Sequence, residues 1–270
     1  MLDESLRKSY LKEMGISLWQ YKKSSKLFNP SAFSEVNPPV TVEESVSEVA
    51  DSNQSAFDAS EAVAEKPMVT VSHDSWEILL KEINSCSKCP LCQSRNMIVP
   101  GVGDRKADWL FVGEGPGYYE DQQGEPFVGR SGKLLDNMMA AMSLKRGTNV
   151  YIANIVKCRA SAAGKDRQPT EEESMACMPF LERQIALINP KIIIALGKTA
   201  ATALLDISRE VSLASLRRTT HAFQCGTRKI PMIITYHPSY LLRTPNGKQK
   251  AWEDLCTAMK LFEAINSSQQ

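Results

Sequence analysis

The sequence predicts an α/β protein of three layers, α/β/α, around a mostly parallel sheet of about four strands. Three observations carry that expectation. Short apolar runs alternate with segments of helical periodicity from residue 108 onward, the pattern of strands joined by crossover helices. Residues with chemical potential, Gly113, Asn154, Gly197 and His237, each follow the end of an apolar run, so the strand ends would gather them on one sheet edge. The first run is followed by a long loop with Gly at 113, 115, 117, 124, 129 and 132, and such loops let backbone approach a ligand closely.

The elements follow in order. Residues 1–23 form a candidate helix with Leu6, Tyr10, Leu11, Met14, Ile16 and Trp19 apolar, and Gly15 makes two short turns an equal reading. Residues 24–72 hold 2 basic and 8 acidic side chains among Ser, Ala, Val and Pro, the composition of a disordered acidic linker. A short apolar segment on such a tether serves to hold a partner; the alternative is a helix that packs back on the domain. The globular domain spans 73–270. An amphipathic helix over Ser75–Ser85 runs into Cys86-Ser-Lys-Cys89-Pro-Leu-Cys92, and the first strand is Asp108–Gly113. Leu134, Leu135, Met138, Met139 and Met142 recur at helical spacing. A strand over Val150–Val156 comes next, then a helix over Thr170–Ile188, where Thr170 and Glu173 make a capping box. A strand (Lys191–Leu196), a helix (Lys198–Leu205), a strand (Met232–Tyr236) and a last helix (Gln249–Ile265) complete the chain.

At 270 residues and 43% hydrophobic content the chain can bury one good core. No apolar run reaches membrane-spanning length and the start is not a signal peptide. A cytoplasmic monomer without membrane attachment is the expectation. Net charge is +1, but residues 73–270 carry 25 basic and 20 acidic groups, an excess that permits nucleic-acid binding without requiring it. Seven cysteines without a secretory signal argue against a disulfide framework. Cys86, Cys89, Cys158 and Cys177 supply four thiolates, enough for an iron–sulfur cluster or a zinc, and spacing alone does not separate the two. Cys92 is a competing ligand, and Cys158 and Cys177 also read as small buried residues.

Five ordered blocks over about residues 75–262 resemble the iron–sulfur (family 4) uracil-DNA glycosylases. They are the Cys86/Cys89 pair; Gly-Glu-Gly-Pro-Gly at 113–117 with Glu120-Asp121; Pro-Phe-Val-Gly at 126–129; Tyr-Ile-Ala-Asn-Ile-Val-Lys-Cys-Arg at 151–159; and His-Pro-Ser-Tyr-Leu-Leu-Arg at 237–243. The sequence departs from that family in the Arg159–Thr170 loop, which lacks a proline-rich run, and at Tyr118-Tyr119, where acidic residues are more usual.

The resemblance implies a uracil-DNA-glycosylase-like fold, a structural [4Fe–4S] cluster on the four cysteines, and an enzyme that flips uracil from DNA and hydrolyses its N-glycosidic bond. In such an enzyme Phe127 would stack on the base and Asn154 would read its N3–H and O4. His237 would donate to O2 as charge builds on the leaving group. Glu114 would stabilise the sugar cation or orient water, backbone at Gly115 would contact the base, and Glu120 would sit near C5 to exclude thymine. Each has a plainer reading: a core Phe, a turn Asn, a His bonded to backbone. Arg130, Lys133, Arg159, Lys165, Arg167 and Arg243 would hold phosphates, or be solvated surface charges. Tyr240, Leu241 and Leu242 make a candidate wedge. Leu11-Lys-Glu-Met-Gly-Ile-Ser-Leu-Trp-Gln20 resembles the start of the psi subunit of the bacterial polymerase III clamp loader, which implies clamp-loader proteins as partners of residues 1–23. The rival readings are a non-catalytic DNA-binding or scaffold relative at the replication fork, and a glycosylase for another deaminated base.

Overall fold

A computed structural model describes residues 75–268, together with Lys12. The expected partner-binding segment and linker, 1–23 and 24–72, otherwise lie outside the described residues. Helix α1 (Trp76–Asn84) starts where the Ser75 hydroxyl accepts from the Ile78 amide, the ordinary role of an N-cap serine. The cysteine-bearing turn follows it. Among the described residues the sheet has six strands: β1 (Val102–Gly103), β2 (Trp109–Gly113), β3 (Val150–Asn154), β6 (Ile192–Leu196), β7 (His221–Cys225) and β8 (Arg228–Thr235), while β4 (Ser161–Ala162) and β5 (Lys165–Asp166) form a separate hairpin.

The sheet order is β1-β3-β2-β6-β8-β7. The four inner strands are parallel, as expected, and the two edge strands run antiparallel to their neighbours. β1 and β7 escape a pattern reading because β1 is two residues long and β7 buries only Phe223. The inner strands β2, β3 and β6 are buried throughout, which explains their unbroken apolar runs.

Side chains alternate across the sheet and sort the core into two packed layers. Leu110, Val112, Ala153, Ile193, Ala195 and Ile234 face α1, α4 (Glu171–Ile188) and α5 (Lys198–Leu205). Phe111, Ile152, Ile192, Ile194 and Ile233 face α3 (Arg130–Ala141) and the long α8 (Gly247–Ser267). That is the α/β/α sandwich expected of the pattern. The predicted capping box at α4 is present: Thr170 Oγ1 accepts from the Glu173 amide at 3.2 Å and Glu173 accepts from the Thr170 amide at 2.8 Å. The remaining helices are short: α2 (Tyr118–Gln123), α6 (Leu213–Leu216) and α7 (Pro238–Arg243). Among the described residues no helix is long and apolar enough to cross a membrane.

Candidate active site and cysteine cavity

Parallel strands end together, so β2 and β3 stop side by side at the Gly113–Asn154 pair. β6 and β8 stop at Leu196 and Thr235, and the amide of Gly197, the next residue after β6, donates to the Thr235 carbonyl. Above this edge lies a cleft of about 350 Å³ lined by Glu114, Gly115, Glu120, Phe127, Asn154 and His237, all six of the residues expected to handle the base. The sequence-distant blocks therefore meet at one place.

Asn154 is buried and its Oδ1 has no hydrogen-bond partner among the described residues. A buried acceptor left unpaired costs about 1–3 kcal/mol, so its retention at a cleft floor points to a donor supplied by a ligand. Gly113 makes room for it: a Cβ there would lie 2.4 Å from Asn154 Oδ1 and 2.6 Å from Phe127 Cζ. Phe127 sits in the left-handed region at φ 57°, a strained conformation for a bulky residue. Arg146 holds it there by donating to the Pro126 and Phe127 carbonyls, both at 2.9 Å, while its Nε bonds Asp136 at 3.0 Å. Gly132 completes the device, because any Cβ on it would collide with the Phe127 carbonyl.

His237 lies with its ring centroid 5.6 Å from that of Phe127. The Ser239 amide donates to His237 Nδ1 at 3.2 Å, which puts the ring proton on Nε2. Burial, aided by Arg243, pushes the His237 pKa down to about 4, so the ring is a neutral donor near pH 7. Glu114 accepts from Thr199 Oγ1 at 2.5 Å; burial raises its pKa and the Thr199 bond opposes that rise. Thr199 stands in the first turn of α5, just after Gly197, whose φ of 90° turns strand into helix. Glu120 accepts from the amides of Gly117, Val128 and Gly129 at 3.0–3.1 Å, which ties both ends of the glycine-rich loop to one carboxylate. Its neighbour Asp121 is fully buried and accepts from the amides of Asn96 and Met97, linking the cleft to the segment after Cys92.

The residues expected on phosphates divide. Arg130, Lys133, Lys165 and Arg243 are exposed. Arg159 is buried, paired with Asp166 at 2.6 Å, and Arg167 is paired with Glu173 at 2.6 Å; both are committed to the protein. In the wedge segment, Leu241 is fully buried against α8 while Tyr240 and Leu242 are the exposed members. Leu241 is thus a core residue and not part of a wedge, because the first turn of α7 faces it inward.

Beyond the end of β3, Cys86, Cys89, Cys92, Cys158 and Cys177 surround one gap of about 10 Å³, room for little more than a water. Among the described residues no three His, Cys, Asp or Glu side chains converge to hold a single metal ion. The donor set nonetheless suits an iron–sulfur cluster, a body with thiolates standing around it and not meeting at a point. Arg95 Nη1 donates to Cys158 Sγ at 3.2 Å and to the Cys86 carbonyl at 3.0 Å. Lys157, fully buried, also lines the gap and donates to the Asn154 carbonyl at 2.7 Å. Both cations stand where they would offset thiolate charge once the thiols lost their protons. Burial raises the thiols of Cys89 and Cys158 and pushes Cys177 up to about 11.

Sequence reasoning missed Thr199, Arg146, Lys157 and Arg95. Their partners lie 3 to 85 positions away. Only Lys157, three residues beyond Asn154 and beside Cys158, stood close enough in sequence to be noticed.

Residues 100–256 match the family described as the uracil DNA glycosylase superfamily. The chain is 40% identical over 183 residues to the Type-4 uracil-DNA glycosylase of Sulfurisphaera tokodaii, spanning 67% of this chain and 82% of that one. It is 43% identical to the protein of the same name from Thermotoga maritima, over 64% of this chain and 85% of the relative. A third, from Archaeoglobus fulgidus, is 37% identical over 67% of this chain and 90% of its own.

Proposed function

The chain belongs to the uracil DNA glycosylase superfamily, and from that premise we propose that it removes uracil from DNA by hydrolysing the N-glycosidic bond. The observation that carries the reading is the orphaned Asn154 Oδ1, facing a cleft walled by Phe127 and His237. Uracil N3–H supplies the missing donor, and the Asn154 amide donates in return to O4. Phe127 stacks on the ring. As the bond to the sugar breaks, its electron pair moves onto uracil, and His237 Nε2–H stabilises the charge gathering at O2. A neutral imidazole suits that task because no proton need be transferred. Glu114, held by Thr199, faces the sugar cation and orients the water that adds to C1′. The water's second proton leaves to solvent, and the expelled uracil anion takes one up. Glu120, fixed by three amides, walls the C5 side and so bars the thymine methyl. The backbone at Gly115 borders the base.

Cys86, Cys89, Cys158 and Cys177 hold a [4Fe–4S] cluster in this reading, and Cys92 is the alternative ligand. Glycosidic hydrolysis transfers no electron; bound there, the cluster would brace the chain between Cys158 and Cys177. Arg130, Lys133, Lys165 and Arg243 are the phosphate-holding cations. The psi-like stretch tethers the enzyme to clamp-loader proteins, raising its local concentration; deletion of residues 1–72 should abolish that binding and spare uracil release. The setting is the bacterial cytoplasm, where free thiols persist.

A labelled oligonucleotide with one uracil tests the whole. Release of free uracil, with none of hypoxanthine or of thymine opposite guanine, is expected. Binding without release would favour the scaffold reading, and hypoxanthine release would favour a glycosylase for another deaminated base.

A further inference from the structure

Two aromatic side chains at the cleft mouth have no part in the scheme above. Tyr118 and Tyr119 open α2 with 52% and 59% of their surface exposed, and both line the cleft. Their rings meet edge to face with centroids 5.5 Å apart. Neither belongs to the two packed layers of the core, and neither hydroxyl has a hydrogen-bond partner among the described residues. Scattered exposed aromatics need no explanation, but adjacent ones at the rim of a site mark a contact surface.

The surroundings fix these rings in place. Arg159, locked to Asp166 and to the Gly164 carbonyl, sets its guanidinium 5.1 Å from the Tyr118 ring. Gly129 leaves space beside Tyr119; a Cβ there would touch Cδ2 at 3.4 Å. Glu120 pins the helix on which both rings stand. The rings are therefore held open, with the exposed cation Arg130 also on the lining.

We propose that Tyr118 and Tyr119 form a stacking platform for the unpaired bases flanking the extruded nucleotide, so that this chain engages uracil in single-stranded DNA. The inference rests on the uracil reading of the cleft. A nucleotide seated between Phe127 and His237 has neighbours joined to it by one phosphate each, and the cleft mouth is where they emerge. In a duplex those neighbours are stacked and paired; in a single strand their faces are free to lie on tyrosine. Every base has such a face, so the platform carries no sequence preference.

Binding is read by fluorescence anisotropy with a uracil-containing oligonucleotide, single-stranded and as a duplex, which reports the platform whether or not the bond is cut. Tyr118→Ala with Tyr119→Ala should weaken single-strand binding about tenfold and duplex binding by less than about twofold. The paired Phe variants should bind like the parent, because a phenyl ring stacks as well. The slope of affinity against salt should hold, since no phosphate contact is lost. Single-strand affinity unchanged in the Ala pair, equal loss on both DNAs, or loss in the Phe pair would overturn the platform. Absence of uracil release by the parent protein would instead overturn the reading of the cleft.

Discussion

The cleft and the cysteine gap of this molecule stand at opposite ends of one short segment, Asn154 to Cys158, and they are built in opposite ways. The cleft is open, about 350 Å³, and its walls are set by the protein alone. Thr199 holds Glu114, three amides hold Glu120, and Arg146 holds the strained Phe127 turn. One buried acceptor, Asn154 Oδ1, waits for a partner. The cysteine gap is narrow, about 10 Å³, and lined by thiols whose pKa burial raises, that of Cys177 to about 11. In the proposed reading a cluster would be held there only once those thiols had lost their protons. In the proposed reading one site is organised before its ligand arrives and the other by its ligand. Lys157 spans the two, with its ammonium on the Asn154 carbonyl and its stem along the gap.

The comparison breaks most visibly at the cysteines. Purified without air, the protein should be brown and carry about four irons per chain. Cys158→Ser should lose iron and visible absorbance. It should also lower the melting temperature by about 10 °C or more, because metal affinity there is folding free energy. Zinc in place of iron, or a full iron load in the variant, would end the cluster assignment.

The next largest effect falls on the cleft and should have the reverse signature. Asn154→Ala removes both base-reading bonds and should cut kcat/KM by about a hundredfold or more. Iron content should stay intact. The melting temperature should hold or rise, since the substitution deletes an unsatisfied buried acceptor. Lost iron in this variant would mean that the cleft, too, depends on the cluster.

How much of this was legible in the sequence follows from the range of the interactions involved. The buried strands β2, β3 and β6 announce themselves because burial on both faces makes them apolar throughout. The helix bounds at Thr170 and Lys198 were readable because a cap or a strand-to-helix glycine sits within four residues. Asn154 and His237 could be nominated because parallel topology sends strand ends to one edge, and Glu114 and Phe127 because their blocks resemble those of the glycosylase family. Their supports could not. Arg146 lies 19 and 20 residues from the carbonyls it holds, and Thr199 lies 85 from Glu114. Nothing local in either residue signals such a partner. Leu241 misled for the opposite reason: Tyr240-Leu241-Leu242 reads as uniformly apolar, and only helix phase separates the buried member from its exposed neighbours.

The smallest expected effect tests whether the cleft walls are as self-supporting as the comparison holds. In the proposed mechanism Glu114 works as a carboxylate, so activity should fall as pH drops through its pKa, which burial has raised. The Thr199 hydroxyl stabilises the ionised form and thereby holds that pKa down. Thr199→Val keeps the side-chain shape and removes the bond. The acid limb of the kcat/KM profile should then move to higher pH, by less than about one unit, with the plateau above pH 7 nearly unchanged. His237 does not blur the reading, because its pKa of about 4 keeps it neutral throughout that window. Iron content and melting temperature should match the parent. An acid limb that stays where it was would show that Thr199 does not tune Glu114. A plateau that collapses would show that Thr199 positions the carboxylate itself, and that the cleft depends on this one hydroxyl far more than its other supports suggest.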